Sequence, residues 1–192
     1  MAENIVDKLY SDNKELLDFL ADKGEVSFQS RVDDNLRKTL LLSAASYFET
    51  IIKDSLIAYF GERTNDCGLT IAFIRNKGLE RQYHTLFSWN ASNANSFFGL
   101  FGGDFRDFMT EQVNNNPNLK DSIKAFLSLG ETRNQLVHGN FALFPLEKTA
   151  EQIYELYKQA DLFVELLPGK LREFTEQHHA ADANDASDPP LG

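Results

Sequence analysis

The stretch FQSRVDDNLRKTLLLSAASYFETIIKDSLIAYF, residues 28–60, determines the fold class. Its apolar residues recur every three or four positions, and neither proline nor glycine interrupts them before Gly61. This spacing places the apolar residues along one side of a helix, so the sequence predicts a single long α-helix here. The middle, residues 40–48, is apolar or small on every side, and we expect other elements to cover it on more than one face.

The remaining apolar patterns are also helical, and none alternates as a strand would. Further helices are predicted over 3–23, 69–77, 79–87, 104–113, 118–137 and about 146–177. Gly78 is expected to separate two short helices, and Gly24 and Gly139 to end longer ones. Pro168 is expected to kink or break the last helix. The predicted fold is an all-α bundle built around two long helices, with short additional helices.

Two segments lack a helical pattern. Residues 88–103 are rich in Asn, Ser and Gly and predict a loop. Its end, 97–103, lacks the Gly-Lys-Ser/Thr of a phosphate-binding loop, so its phenylalanines are expected to be buried anchors; if exposed, they would indicate a partner surface. Residues 178–192 have few apolar side chains to bury and predict a disordered acidic tail after one helical domain, 1–177.

Neither an apolar run of about 20 residues nor the basic and apolar start of a signal peptide is present. We therefore expect a cytoplasmic protein without a membrane partner. Cys67 is the only cysteine, which excludes an internal disulfide and a thiolate zinc cluster. No cofactor is predicted.

The histidines outside residues 133–139 do not form a recognisable metal or catalytic motif. His84 lies between apolar neighbours and is expected to be a partly buried packing residue, with a small allowance for substrate contact. His178 and His179 adjoin the tail and are expected to be solvated. None has partners at metal-ligand spacing, and no Gly-x-Ser-x-Gly motif holds a serine nucleophile.

The segment Arg133-Asn-Gln-Leu-Val-His-Gly139 crowds an arginine, an asparagine and a histidine at a helix end. RNA carries its own nucleophile, the 2′-hydroxyl. A cleaving enzyme therefore needs a group that transfers protons near neutral pH and cations that stabilise the phosphorus transition state. Histidine can do the first and the guanidinium group the second.

The spacing of Arg133 and His138 leaves a structural alternative open. Five residues along an ideal helix separate two side chains by about 140° round the axis. Either the helix is distorted near Gly139, or two copies of the motif meet across a symmetric dimer. In the structural alternative, the histidine interacts with the helix dipole and the arginine pairs with Glu131 or another acid.

With Arg133, Asn134 and His138 at the three motif positions, the chain resembles the HEPN superfamily. The order of a long early helix, an irregular middle, a motif helix and a long final helix resembles that family too. Residues 27–37 and 47–51 are similar to its bacterial RiboL-PSP subset.

This resemblance implies a homodimer with facing motifs and metal-independent RNA cleavage leaving a 2′,3′-cyclic phosphate. Arg133 would hold the scissile phosphate, His138 would act as general acid or base, and Asn134 would support them. The expected context is a toxin–antitoxin or phage-defence system, with an antitoxin or defence protein as a further partner. The alternative is a non-catalytic HEPN module that binds RNA, a nucleotide or a partner protein.

The formal net charge of −10 argues against a broad, sequence-blind nucleic-acid binder. Residues 147–192 contain ten acidic and four basic residues, so they hold most of this charge. Residues 1–146 are only mildly acidic. A local RNA site around Arg133 is therefore compatible with the charge, and we expect weak affinity or delivery by a partner.

Overall fold

The computed structural model describes residues 4–185, and every regular element in that range is helical. The α-helices are α1 (Ile5–Asp22), α2 (Val26–Arg63), α3 (Gly68–Phe73), α4 (Tyr83–Leu86), α5 (Asn95–Phe98), α6 (Gly103–Asn115), α7 (Pro117–His138) and α8 (Ala150–Asp185). A π-helical turn over Ile74–Leu79 follows α3, and a 3₁₀ turn over Gly99–Phe101 follows α5. The predicted all-α fold is confirmed, with α2 and α8 as its two long helices.

Helix α2 runs for 38 residues without interruption, as its apolar spacing predicts. Leu40, Leu41 and Ala44 in its middle are fully buried. Their burial follows from the position of α2, because α1, α7 and α8 all pack against it. The expectation that this apolar middle is covered on more than one face is confirmed.

Aromatic side chains join α2, α7 and α8 at the centre of the bundle. The ring centroid of Phe126 on α7 lies 5.9 Å from that of Phe48 on α2 and 5.2 Å from that of Phe163 on α8. The buried Ser122 hydroxyl donates to the Ala160 carbonyl at 3.1 Å and accepts from the Phe163 amide at 2.7 Å. These contacts fix α7 against the core, and α7 carries the predicted motif.

The segment predicted as a loop, residues 88–103, contains the short helix α5 and the 3₁₀ turn. Phe97 and Phe98 are fully buried, and Phe101 is partly buried. The interpretation of buried aromatic anchors is confirmed. The segment is more helical than its composition predicts, because burying two adjacent phenylalanines fixes the backbone between α4 and α6.

The predicted break at Gly78 is wrong. Gly78 lies inside the π-helical turn, which continues α3 as far as Leu79. The chain turns instead at Arg81, which adopts a left-handed φ of +62°. Gly78 does not adopt a left-handed φ, and the chain changes direction at Arg81, which is not a glycine.

The last helix differs from its predicted bounds at both ends. It begins at Ala150, because the Thr149 hydroxyl accepts from the Gln152 amide and the Gln152 side chain accepts from the Thr149 amide. It continues through Pro168 without a break, because Leu167 and Leu171 on either side are buried in the core.

Helix α8 extends to Asp185, into the segment predicted as a tail. The rest of that tail, residues 186–192, lies outside the described residues. The division into a domain over 1–177 and a tail stays a prediction.

Candidate active site

A cavity of about 360 Å³ lies between α2, the segment that contains α4, and the C-terminal half of α7. It is lined by Ala45, Phe48, Glu49, Arg81, Tyr83, His84, Trp89, Phe126, Leu129, Gly130, Arg133, Asn134, Val137 and His138. All three predicted site residues are among them. Two arginines and two histidines thus surround one cavity, in a chain whose net charge is −10.

Arg133 and His138 share this cavity without distortion of α7, which stays α-helical through His138. Nη1 of Arg133 donates a hydrogen bond to Oδ1 of Asn134 at 3.1 Å. Asn134 precedes His138 by four residues, so their side chains leave the helix only about 40° apart. The hydrogen bond therefore holds the guanidinium on the side of α7 that carries the histidine.

The guanidinium group of Arg133 keeps donors for a ligand. Within residues 4–185, Arg133 takes part in none of the ion pairs, so the expected alternative pairing with Glu131 is not observed there. Glu49, the acid that shares the cavity, accepts from Lys53 one turn along α2 at 3.1 Å. An oxyanion in the cavity would face Arg133 without displacing a carboxylate from it.

His138 is the last residue of α7 and is exposed. Gly139 follows with φ −89° and ψ −179°, and its amide donates to the Gln135 carbonyl at 3.0 Å. A Cβ at this position would lie 3.1 Å from that carbonyl oxygen and 3.3 Å from Phe144. Gly139 thus ends the helix by allowing close packing, and the chain leaves α7 immediately after the imidazole.

A second arginine and histidine reach the cavity from the connection around α4. Arg81 and His84 are both exposed. The expectation that His84 is a partly buried packing residue is therefore wrong, and the allowance for substrate contact stays a prediction. The left-handed φ of Arg81 costs a non-glycine residue about 1 kcal/mol.

Trp89 links this connection to α7. Its indole Nε1 donates to the backbone carbonyl of His84 at 2.8 Å. A Cβ built on Gly130 would overlap Cε3 and Cζ3 of the Trp89 ring. The indole therefore packs directly on the backbone of α7, one turn before Asn134, and only glycine leaves it this space.

Tyr83 supplies a neutral hydroxyl at the same cavity. Burial raises the pKa of Tyr83 above its ordinary value, the charge of Glu49 raises it further, and the charge of Arg133 partly opposes both. The hydroxyl therefore stays protonated throughout the physiological pH range. Tyr83 can donate a hydrogen bond to a ligand but cannot act there as a phenolate.

Among the described residues, no cluster of three or more His, Cys, Asp or Glu side chains is arranged to hold a metal ion. The polar groups of the residues that line the cavity are two guanidinium groups, two imidazoles, one amide, one phenol, one indole N–H and one carboxylate. Such a set suits an anionic ligand better than a cation.

The model of the RiboL-PSP-HEPN family matches residues 7–173, which is most of the chain. The chain belongs to this HEPN family. Membership agrees with the all-helical fold and indicates an RNA-related function. No curated protein and no solved structure matches the chain.

The matched range of this HEPN protein contains the complete cavity. In the described part of the chain, no helix is both long and apolar enough to cross a membrane.

The sequence alone did not indicate Glu49, Arg81, Tyr83 or Trp89 as parts of the site. One feature of the sequence could have pointed to these residues: Trp89, the single tryptophan, lies within a polar segment.

Proposed function

We propose that this HEPN protein is a metal-independent endoribonuclease that acts as a homodimer. The observation that carries the proposal is that Arg133, held by Asn134, and His138 line one cavity of about 360 Å³. A cavity of this size accommodates one nucleotide-sized group, and its charged groups match a phosphodiester.

Each residue of the motif has a role in this proposal. Arg133 binds the scissile phosphate and stabilises the charge that develops on its oxygens. His138 transfers a proton during attack of the 2′-hydroxyl, which leaves a 2′,3′-cyclic phosphate and a 5′-hydroxyl. Asn134 positions the guanidinium through its side-chain oxygen.

The homodimer is supported by apolar side chains exposed around the motif. Val137, Phe141 and Leu143 are 50%, 43% and 78% exposed, although they flank His138 in the sequence. A symmetric contact through this surface would bury them and bring two copies of the cavity together. RNA affinity is expected to be modest, because the chain as a whole is acidic.

We further propose a toxic or phage-defence role, with a neutralising or activating partner protein. Its support is membership of the HEPN family together with a motif whose three polar positions are intact. Uncontrolled RNA cleavage would harm the cell that makes the enzyme. Expression of the wild type is therefore expected to slow growth.

The proposal is tested by incubating purified protein with single-stranded RNA in EDTA. We expect cleavage with 2′,3′-cyclic phosphate ends, and loss of both cleavage and growth inhibition in Arg133→Ala and His138→Ala. His178→Gln, which alters an exposed histidine on α8, serves as the matched control and should behave as wild type. RNA binding without cleavage by the wild type would instead support a non-catalytic HEPN module. Equal cleavage by all variants would refute the assigned site.

A further inference from the structure

We propose that His84 and Arg81 complete the active site within one protomer, His84 as the second proton-transfer residue and Arg81 as a second cation on the scissile phosphate. This inference rests on the proposed ribonuclease function and assigns roles beyond the Arg133–His138 motif. Both residues line the same cavity as that motif, and both are exposed to an incoming ligand.

The chemistry of the reaction requires two proton transfers. The 2′-oxygen forms a bond to phosphorus while the bond from phosphorus to O5′ breaks. A neutral imidazole takes the proton of the 2′-hydroxyl, and a protonated imidazole gives a proton to O5′. One histidine cannot do both in the same step. Because His84 and His138 are exposed, each can return to its starting state by exchanging a proton with water.

The position of His84 is tied to the helix that carries the motif. The Trp89 indole donates to the His84 carbonyl at 2.8 Å, and its ring packs on the backbone of Gly130. Gly130 and His138 lie on the same helix, which is anchored in the core by Ser122. The connection around α4 is therefore held against α7, as two groups acting on one phosphate require.

The backbone around Arg81 also points to a role in the site. Arg81 adopts a left-handed φ of +62°, two positions after the last residue of the π-helical turn over Ile74–Leu79. A non-glycine residue in this region is strained, and both strained residues and π-helical turns concentrate at functional sites. The left-handed conformation changes the direction of the chain after that turn, and Arg81 is one of the residues that line the cavity.

The charged surroundings of His84 come from three parts of the fold. Arg81 and Tyr83 belong to its own connection, Glu49 comes from α2, and Arg133 and His138 come from α7. Glu49 is engaged by Lys53, and Tyr83 is neutral. A phosphate placed among these groups would be bound by two guanidinium groups, with one imidazole available for each of the two proton transfers.

This arrangement changes what the dimer is needed for. If two histidines act from one protomer, the second copy is not required to supply the second proton-transfer group. Dimerisation would then hold the two cavities near each other and stabilise the end of α7.

The test measures kcat/KM across pH for wild type, His84→Gln, His84→Asn and His138→Gln. The substrate is a labelled single-stranded RNA that contains every dinucleotide step. Loss of a proton-transfer group typically lowers the rate by about 100-fold or more. We expect such a loss in both His84 variants, and we expect them to lose one limb of the bell-shaped pH profile while His138→Gln loses the other. His178→Gln is the matched control.

Binding separates the role of Arg81 from that of the histidines. The probe is a 2′-O-methyl RNA of the same sequence, which lacks the nucleophile. Arg81→Ala should weaken its binding and reduce the salt dependence of binding, because one phosphate contact is lost. Arg106→Ala, which removes an exposed arginine of α6, should change neither quantity.

The outcomes distinguish this inference from the proposed function. Wild-type rates in both His84 variants, beside an inactive His138→Gln, would overturn this inference and leave the function standing. A rate lowered equally at all pH values, with both limbs kept, would show that His84 is only structural. Full activity on mixing the His84→Gln and His138→Gln chains would contradict action from one protomer. Absence of cleavage by the wild type would overturn both proposals.

Discussion

Arg133 donates a hydrogen bond to the side chain of Asn134 at 3.1 Å, although the two side chains leave α7 about 100° apart. The bond holds the arginine on the side of the helix where His138 lies. Two residues that an ideal helix separates thereby share one cavity. Asn134 acts in the proposed reaction through Arg133, as a positioning residue.

Removing this hydrogen bond with Asn134→Ala should lower the RNA cleavage rate less than Arg133→Ala does. A hydrogen bond to a charged group contributes about 1.5 to 3 kcal/mol, and partial exposure of both residues reduces that. We expect kcat/KM to fall about tenfold, equivalent to about 1.4 kcal/mol. Gln135→Ala changes an exposed neighbour and should leave kcat/KM unchanged. An Asn134→Ala enzyme as fast as the wild type would refute this positioning role.

Gly130→Ala should destabilise the protein and displace Trp89. The added methyl group would overlap the indole ring, and overpacking of this kind costs about 1 to 3 kcal/mol. Urea unfolding measures the loss. Because Trp89 is the only tryptophan, its fluorescence reports the displacement directly.

Gly169→Ala on α8 is the control for that experiment. Gly169 is exposed within a helix, and a Cβ there would meet nothing within 4 Å. This substitution should stabilise the protein by about 0.5 to 1 kcal/mol, since alanine favours the helix more than glycine does. Equal effects of the two substitutions would contradict the close approach of Trp89 to α7.

Asp161 on α8 should make stability depend on pH. Its burial, followed by the charge of Glu165, raises the pKa of Asp161 above the ordinary aspartate value in the folded protein. The stability linked to this group is present below the unfolded pKa and is lost as pH rises through the folded pKa. Asp161→Asn should therefore stabilise the protein at neutral pH.

That gain should disappear in acid, where the wild-type carboxyl is protonated in both states. Urea unfolding at a series of pH values measures it. Glu155→Gln removes the same charge from an exposed position on the same helix and serves as the control. A gain for Asp161→Asn that is constant with pH would contradict the raised pKa.

Leu143→Asp should dissociate the proposed homodimer. Leu143 is 78% exposed near the end of α7, and burying a charge in a symmetric apolar contact places two like charges close together. Analytical ultracentrifugation should show a monomer for this variant. Leu69→Asp alters an equally apolar residue that is 86% exposed on α3 and should leave the dimer intact. Dissociation by Leu69→Asp alone would place the interface on α3.

The long helices, the motif and the family resemblance were predictable because each depends on residues close together in the chain. The spacing of apolar residues in α2 is visible over 28–60, and Arg133, Asn134 and His138 lie within six positions. The break predicted at Gly78 is wrong, and Pro168 does not break α8, for the opposite reason. Their local tendencies were overridden by packing and by a turn placed at Arg81.

The helical bundle and one arginine–histidine pair could be read from the amino-acid sequence, since both follow from local periodicity and local chemistry. That Glu49, Arg81 and His84 surround the same cavity as that pair is a result of how the helices pack. They come from segments separated by more than 30 residues. The packing of Trp89 on the bare backbone at Gly130 holds the segment with Arg81 and His84 against the motif helix. No local pattern encodes that contact, because it depends on a turn after α4 meeting the surface of α7.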